Sequence, residues 1–240
     1  MFIKPEDFTA RLEEVHHLVG DTYSYTFKVV DGNYEYKAGQ FAMIKFDDPD
    51  GSEEELQRAY SVASAPDGDH FEFCIELFED GKGSRYINGL KVGDEVSMKG
   101  PFGLCFIKDD NHNDLVMVAT GTGIAPVKGI LEDMLNKNDQ RQIDVFFGVR
   151  HEKDLFYVEE LKELESGLAN MKLNVCLSQP ETDEWDGLRG RVTAHVPECD
   201  LSNNPDFYIC GGGAMIKEVR QIALDKGVDR KKIHVEIFDI

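Results

Sequence analysis

The stretch Leu115-Val116-Met117-Val118-Ala119-Thr120-Gly121-Thr122-Gly123-Ile124-Ala125-Pro126 decides the fold. Its apolar start, residues 115–119, is short and unbroken, the pattern of a strand buried on both faces. Glycines follow at once. Val127, Ile130, Leu131, Met134 and Leu135 then recur at helical spacing. Strand, glycine turn and amphipathic helix open a βαβ unit. Bare backbone at Gly121 and Gly123 can approach a pyrophosphate, and a helix N-terminus favours its negative charge. Pro126 stands where the usual dinucleotide fingerprint has its third glycine, and a proline early in a helix is also a structural choice. Taken alone, the loop reads equally as a nucleotide site or a tight turn.

Downstream the same grammar repeats. Strands are expected at 143–149, 172–177, 207–209 and 233–237. Helices are expected near 155–166 and over a segment placing Met215, Ile216, Val219, Ile222 and Ala223 on one face. With residues 115–119 this makes five strands alternating with helices, hence a doubly wound, five-stranded parallel α/β domain over residues 112–240.

Upstream the pattern changes. Residues 22–30, 41–46 and 71–78 are rich in Thr, Tyr, Phe, Val and Ile, the last nearly alternating. Asp31-Gly32-Asn33, Pro66-Asp67-Gly68-Asp69 and Gly93-Asp94 punctuate them as turns. Such spacing predicts an antiparallel Greek-key β-barrel over residues 1–105, with one short helix at 84–90. The linker falls at 103–113. The expected class is therefore a two-domain α+β and α/β protein.

Composition narrows the function. A formal charge of −20 over 240 residues argues against nucleic acid and anionic membrane as partners. No apolar run approaches the ~20 residues of a membrane helix. The first residues, Met1-Phe2-Ile3-Lys4-Pro5, lack the basic-then-apolar pattern of a leader, so a soluble cytoplasmic protein is expected. The five cysteines are scattered, without a Cys-x-x-Cys pair, which argues against zinc, iron–sulfur clusters and disulfides; no metal site is expected. Residues 47–55 hold six acids in nine positions, a solvated loop or a docking patch for a basic partner.

Arg58-Ala59-Tyr60-Ser61 combines a phosphate fork, a flat ring and a small hydroxyl. Alone, a Tyr and a Ser in a strand are more often ordinary core and surface residues than a cofactor site. Taken with Gly81-Lys82-Gly83-Ser84, Gly100-Pro101-Phe102-Gly103, the Gly121-to-Pro126 loop, Phe147-Gly148-Val149-Arg150 and Cys210-Gly211-Gly212-Gly213, in this order, it gives the chain a resemblance to the ferredoxin–NADP reductase-like superfamily. The similarity lies with its flavin reductase and oxygenase-reductase branch and covers residues 8–240. The family's Cys-Gly-Pro-Pro stands here as Cys210-Gly211-Gly212-Gly213.

The resemblance implies an enzyme with two cofactors, FAD and NADH or NADPH, in which hydride passes from the nicotinamide to flavin N5. It places Arg58 on the FAD pyrophosphate, with Ala59 beside it, Tyr60 on the isoalloxazine and Ser61 at N5. Gly83 and Ser84 would also meet the pyrophosphate. Gly121, Thr122, Gly123, Pro126, Gly148 and Arg150 would line the nicotinamide nucleotide site. Cys210 and Gly211 would flank the nicotinamide, and Glu236 and Phe238 would border the flavin. Ser61, Cys210 and Glu236 are the expected catalytic residues. The acceptor would be a separate ferredoxin, flavodoxin, oxygenase component or small molecule. A free-flavin reductase and a non-catalytic electron-transfer subunit are the alternatives. Ser178 is followed by Gln179, Pro180 and the acids Glu181, Asp183 and Glu184, where NADP-using members have an Arg, so NADH is the expected nucleotide. Lys82, Arg85, Lys91 and Lys99 are the expected docking face for an acidic protein acceptor.

Overall fold

The computed structural model describes residues 3–238. Met1 and Phe2, which open the expected first domain, and Asp239 and Ile240, which follow Phe238, lie outside the described residues.

The first half builds an antiparallel sheet from β1 (Glu6–Val19), β2 (Thr22–Asp31), β3 (Phe41–Asp47), β4 (Glu55–Ser61), β5 (His70–Glu76) and β6 (Glu95–Phe102). The order is β4-β3-β6-β1-β2-β5, so β6 returns to lie between β1 and β3, the crossing that makes a Greek key. A single bridge between Val62 and Phe73 joins the two sheet edges and closes the barrel. Alternation drives this closure. Phe8, Ala10 and Leu12 of β1, Phe27 of β2, Ile44 of β3, Phe71 and Phe73 of β5 and Met98 of β6 all point inward to one core. Helix α1 (Lys82–Gly89) begins two residues earlier than expected and plugs that core with Ile87.

The second half builds a parallel sheet from β7 (Leu115–Thr120), β8 (Ile143–Val149), β9 (Met171–Leu177), β10 (Leu188–Arg189), β11 (Asp206–Gly211) and β12 (Ile233–Ile237), ordered β10-β9-β8-β7-β11-β12. The sheet has six strands, not the expected five. Leu188 and Arg189 pair with Cys176 and Leu177, and two residues are too short to leave a periodic signal. Helices α2 (Ile124–Asn136) and α3 (Val158–Gly167) cover one face. Helices α4 (Val192–His195) and α5 (Gly213–Asp225) cover the other. Each central strand feeds both layers. Leu115, Met117 and Ala119 pack toward α2, while Val116 and Val118 pack toward α5. Helix α3 starts three residues later than expected because Tyr157 adopts a left-handed conformation just before it. Among the described residues no helix is long and apolar enough to cross a membrane.

The two halves are packed together rather than tethered. Ala38, Ala63, Cys74 and Cys105 from the barrel side belong to the same buried cluster as Ile124, Val127, Ile130 and Leu131 of α2. Helix α2 is thus the shared wall of the seam.

Candidate active site at the domain seam

Strand order reverses between β7 and β11, the point where parallel sheets open a crevice at their carboxyl ends. Both glycine loops of the sequence emerge there. Cα pairing sets Cys210 beside Ala119 on one side and beside Glu236 on the other. Gly121 has φ +55° and faces open space, so the backbone at the mouth of the crevice is bare. Gly123 is required for another reason: a Cβ there would collide with the Cys210 carbonyl. Thr122 lies between them, half-buried, and Pro126 is buried in the first turn of α2. The two loops therefore touch, although 87 residues separate Gly123 from Cys210.

Across the seam the end of β4 meets the end of β12. Ser61 is buried, and its hydroxyl donates to Glu236 Oε1 at 2.5 Å. Burial pushes the Glu236 carboxyl up to about 7, and the Ser61 hydrogen bond only partly offsets it. Near neutral pH this acid is therefore poised between its two states. Cys210 is fully buried. The neighbouring Cys105 thiol, 3.7 Å away, and desolvation push the Cys210 thiol well up, so it is no thiolate here. Phe238 donates its backbone N–H to the Gly211 carbonyl at 2.9 Å, and its ring packs on the α2-side core. Ser61, Cys210 and Glu236 thus come together as the sequence suggested.

The barrel rim forms the other arm of the site. Gly83 lies so close to Arg58 and Tyr60 that a Cβ would sit 2.9 Å from Arg58 Cγ and 3.0 Å from the Tyr60 hydroxyl. The two sequence motifs are therefore one surface. Arg58 and Ala59 are exposed, and the Arg58 guanidinium donates to the adjacent Gln57 carbonyl at 2.8 Å. The Tyr60 ring leans on Phe73, and burial pushes its hydroxyl up to about 12. Ser84 Oγ accepts from the Phe78 N–H at 2.9 Å, which orders the start of α1.

The acidic 47–55 segment is partly tied to α1, through two of its six acids. Asp48 accepts from Lys82 at 2.8 Å and from Ser52 at 2.6 Å, and Asp50 accepts from Arg85 at 2.7 Å. The Lys82 and Ser52 contacts hold the Asp48 carboxyl far below the usual carboxylate range. Two of the four cations of the expected docking face, Lys82 and Arg85, are thus paired within their own chain.

At the far side of the crevice, Gly148 packs against Val192, so its lack of a side chain serves α4. Arg150 is exposed at the end of β8. The loop after β9 is pinned: Glu152 accepts from the Glu181 and Thr182 N–H groups at 2.8 and 3.1 Å, and Arg189 donates to the Thr182 and Trp185 carbonyls. Lys153 pairs with Glu181 at 3.1 Å.

Sequence reasoning missed a cluster beside the site. Lys128, buried in α2, donates to the Ala63 carbonyl and to Glu72 and Glu132. A lysine one position past Val127 gives no signal of burial. The Cys105–Cys210 contact was equally hidden by a separation of 105 residues.

Comparison with known proteins agrees with this arrangement. Residues 9–107 match the family model of the oxidoreductase FAD-binding domain, and residues 117–221 match that of the oxidoreductase NAD-binding domain. A ferredoxin–NADP reductase B from Sorangium cellulosum is 35% identical over 247 residues, covering 99% of this chain and all of the relative. The reductase component of a propane 2-monooxygenase from Rhodococcus jostii is 28% identical, covering 97% of this chain and 64% of that protein. Among solved structures, a cytochrome P450 reductase from Amycolatopsis superposes with a TM-score of 0.85 at 25% identity, over 98% of this chain and 70% of that one.

Proposed function

Because this chain belongs to the ferredoxin–NADP reductase-like superfamily of flavin- and nicotinamide-dependent oxidoreductases, we propose that its two cofactors meet at Ser61, Cys210 and Glu236. The protein is an FAD-dependent oxidoreductase that takes electrons from a nicotinamide nucleotide and gives them to a separate acceptor. When bound, the flavin supplies a ring that accepts electrons in pairs and releases them singly. The chain supplies alignment, charge and exclusion of water.

The residues present suit these groups. On the rim, the exposed Arg58 guanidinium would clamp a pyrophosphate as a bidentate fork, helped by N–H groups at Gly83 and Ser84 where α1 begins. Tyr60 would offer a flat face, and Ala59 leaves room beside it. Bare backbone at Gly121, with Thr122 and Gly123, would approach the second pyrophosphate. Cys210, neutral and fully buried, would bound the nicotinamide with a small apolar wall, and Gly211 would keep that wall low. Ser61 would orient the flavin ring nitrogen. Glu236, protonated on its other oxygen while accepting the Ser61 hydroxyl, would keep a negative charge away from a ring that gains electrons. Phe238 would close the edge.

One observation carries this reading: the Ser61–Glu236 hydrogen bond joins the barrel to the nucleotide domain where both glycine loops open. Cys210→Ala should test it. The limiting rate of flavin reduction should fall by about tenfold while NADH affinity changes little, the mark of lost positioning rather than lost binding. A wild-type limiting rate would return Cys210 to the core.

NADH is the favoured donor in this reading. A 2′-phosphate at the loop after β9 would meet Glu181, Asp183 and Glu184, and Lys153 is already paired with Glu181. The relatives point to the kind of acceptor, a ferredoxin or an oxygenase component.

A further inference from the structure

We propose that Lys128 is a positioning residue for electron transfer, the centre of a buried clamp that fixes the flavin platform relative to the nucleotide loop. The inference rests on the cofactor placement above and goes beyond it. Lys128 Nζ donates to the Ala63 carbonyl at 3.1 Å, to Glu72 Oε2 at 3.2 Å and to Glu132 Oε1 at 2.6 Å. It also lies 5.1 Å from the centre of the Tyr157 ring. Ala63 and Glu72 belong to the barrel. Lys128, Glu132 and Tyr157 belong to the nucleotide domain. Each acceptor is itself held. Glu72 Oε1 takes the hydroxyls of Ser24, at 2.7 Å, and of Tyr157, and Glu132 Oε2 takes the Ala65 N–H at 2.9 Å.

The placement gives the cluster its meaning. Ala63 lies two residues after Ser61, and Lys128 lies two residues after Pro126. One ammonium therefore ties the backbone of the flavin-side residue to the helix that begins at the nucleotide loop. Gly129 reinforces the tie, because its bare backbone lets α2 rest on Ser64, where a Cβ would come within 2.7 Å of the carbonyl. Tyr157 adopts φ 57°, a left-handed conformation disfavoured for a bulky residue. Such strain persists only where surroundings over-determine it, and here it sets the Tyr157 ring on Lys128 and its hydroxyl on Glu72. Burial works against the Lys128 ammonium, yet the Glu72 and Glu132 carboxylates outweigh it and hold the pKa above the ordinary lysine value. Lys128 is thus held in its charged form. Breaking a buried ionic cluster leaves a charge uncompensated, and reaction rates are sensitive to ångström-scale misplacement.

Lys128→Met, in the FAD-loaded protein, separates positioning from folding. Stopped-flow mixing with NADH should show a limiting rate of flavin reduction at least ~10-fold lower, with NADH affinity within about threefold of wild type. The long-wavelength charge-transfer absorbance of the nucleotide–flavin complex should weaken in parallel. Lys128→Arg, which keeps the charge, should recover most of the rate. If Lys128→Met does not fold, Glu132→Gln carries the test: it keeps the shape, removes one charge and should lower the same rate with FAD content intact. A wild-type limiting rate and charge-transfer band in the folded variant would overturn the clamp alone. Failure of either nucleotide to bleach the wild-type flavin would overturn the cofactor placement, and the clamp with it.

Discussion

The domain seam and the barrel rim hold similar charged groups in opposite settings. At the seam, the Lys128 side chain is 6% exposed and bridges two carboxylates between domains. At the rim, the Arg85 and Asp50 side chains are 44% and 49% exposed and pair within their own domain. Water screens this rim pair, so its geometry can slip at little cost. The seam pairs have no such freedom, because an unpaired partner there is left in a desolvated place. The buried ionic contact at the seam therefore defines geometry, and the seam is also where chemistry needs it.

The largest effect should come from the seam itself. Ser61→Ala removes the hydroxyl that joins the two domains at the site, and should lower the limiting rate of flavin reduction on the order of 10²-fold, with FAD still bound. Stopped-flow bleaching checks this, and a loss smaller than threefold would detach Ser61 from the reaction.

The second prediction concerns Glu236. Its carboxyl is raised to about 7 by burial, so it is neutral below that pH and negative above it. The limiting rate should fall as pH rises through about 7, because a carboxylate there opposes electrons arriving on the flavin. Stability follows the same sign. The folded state holds the proton more tightly than the unfolded chain, so stability declines from the ordinary carboxyl range up to about pH 7 and is then level. Glu236→Gln should flatten both profiles. Retention of the step in the variant would assign it to another group.

Nucleotide choice comes third. The pinned, acidic loop after β9 should give NADH at least a tenfold advantage in kcat/KM, about 1.4 kcal/mol. An advantage for NADPH would mean that Arg150 or Arg189 takes the phosphate. The smallest effect belongs to the rim. Arg85→Gln should leave the limiting rate within twofold and stability within about 0.5 kcal/mol. A large loss there would erase the contrast between the two regions.

The sequence made some of this plain and hid the rest for physical reasons. Residues 115–126 announced strand, loop and helix because a strand buried on both faces is uniformly apolar and a glycine turn is unmistakable. Strands β1 and β6 were less legible: Glu13 to His17 and Glu95 to Gly100 mix charges with apolar residues, since one sheet face is solvated. Strand β10 was too short to show. That Ser61 and Glu236 share one site was implied only by family likeness, and their hydrogen bond had no signal at all, as 175 residues separate them. Lys82 and Arg85 looked like a docking face because local sequence does not show that Asp48 and Asp50 fold back onto them. Lys128 was invisible for the converse reason, since a lysine in an amphipathic helix ordinarily faces water.

The central claim is that the seam brings a bound FAD and a nicotinamide nucleotide into contact. Anaerobic addition of NADH to the purified, FAD-loaded protein tests it most directly. The account predicts that one equivalent of NADH bleaches the yellow flavin fully, through a charge-transfer intermediate seen at long wavelength. Flavin that stays oxidised under excess NADH and NADPH would contradict it.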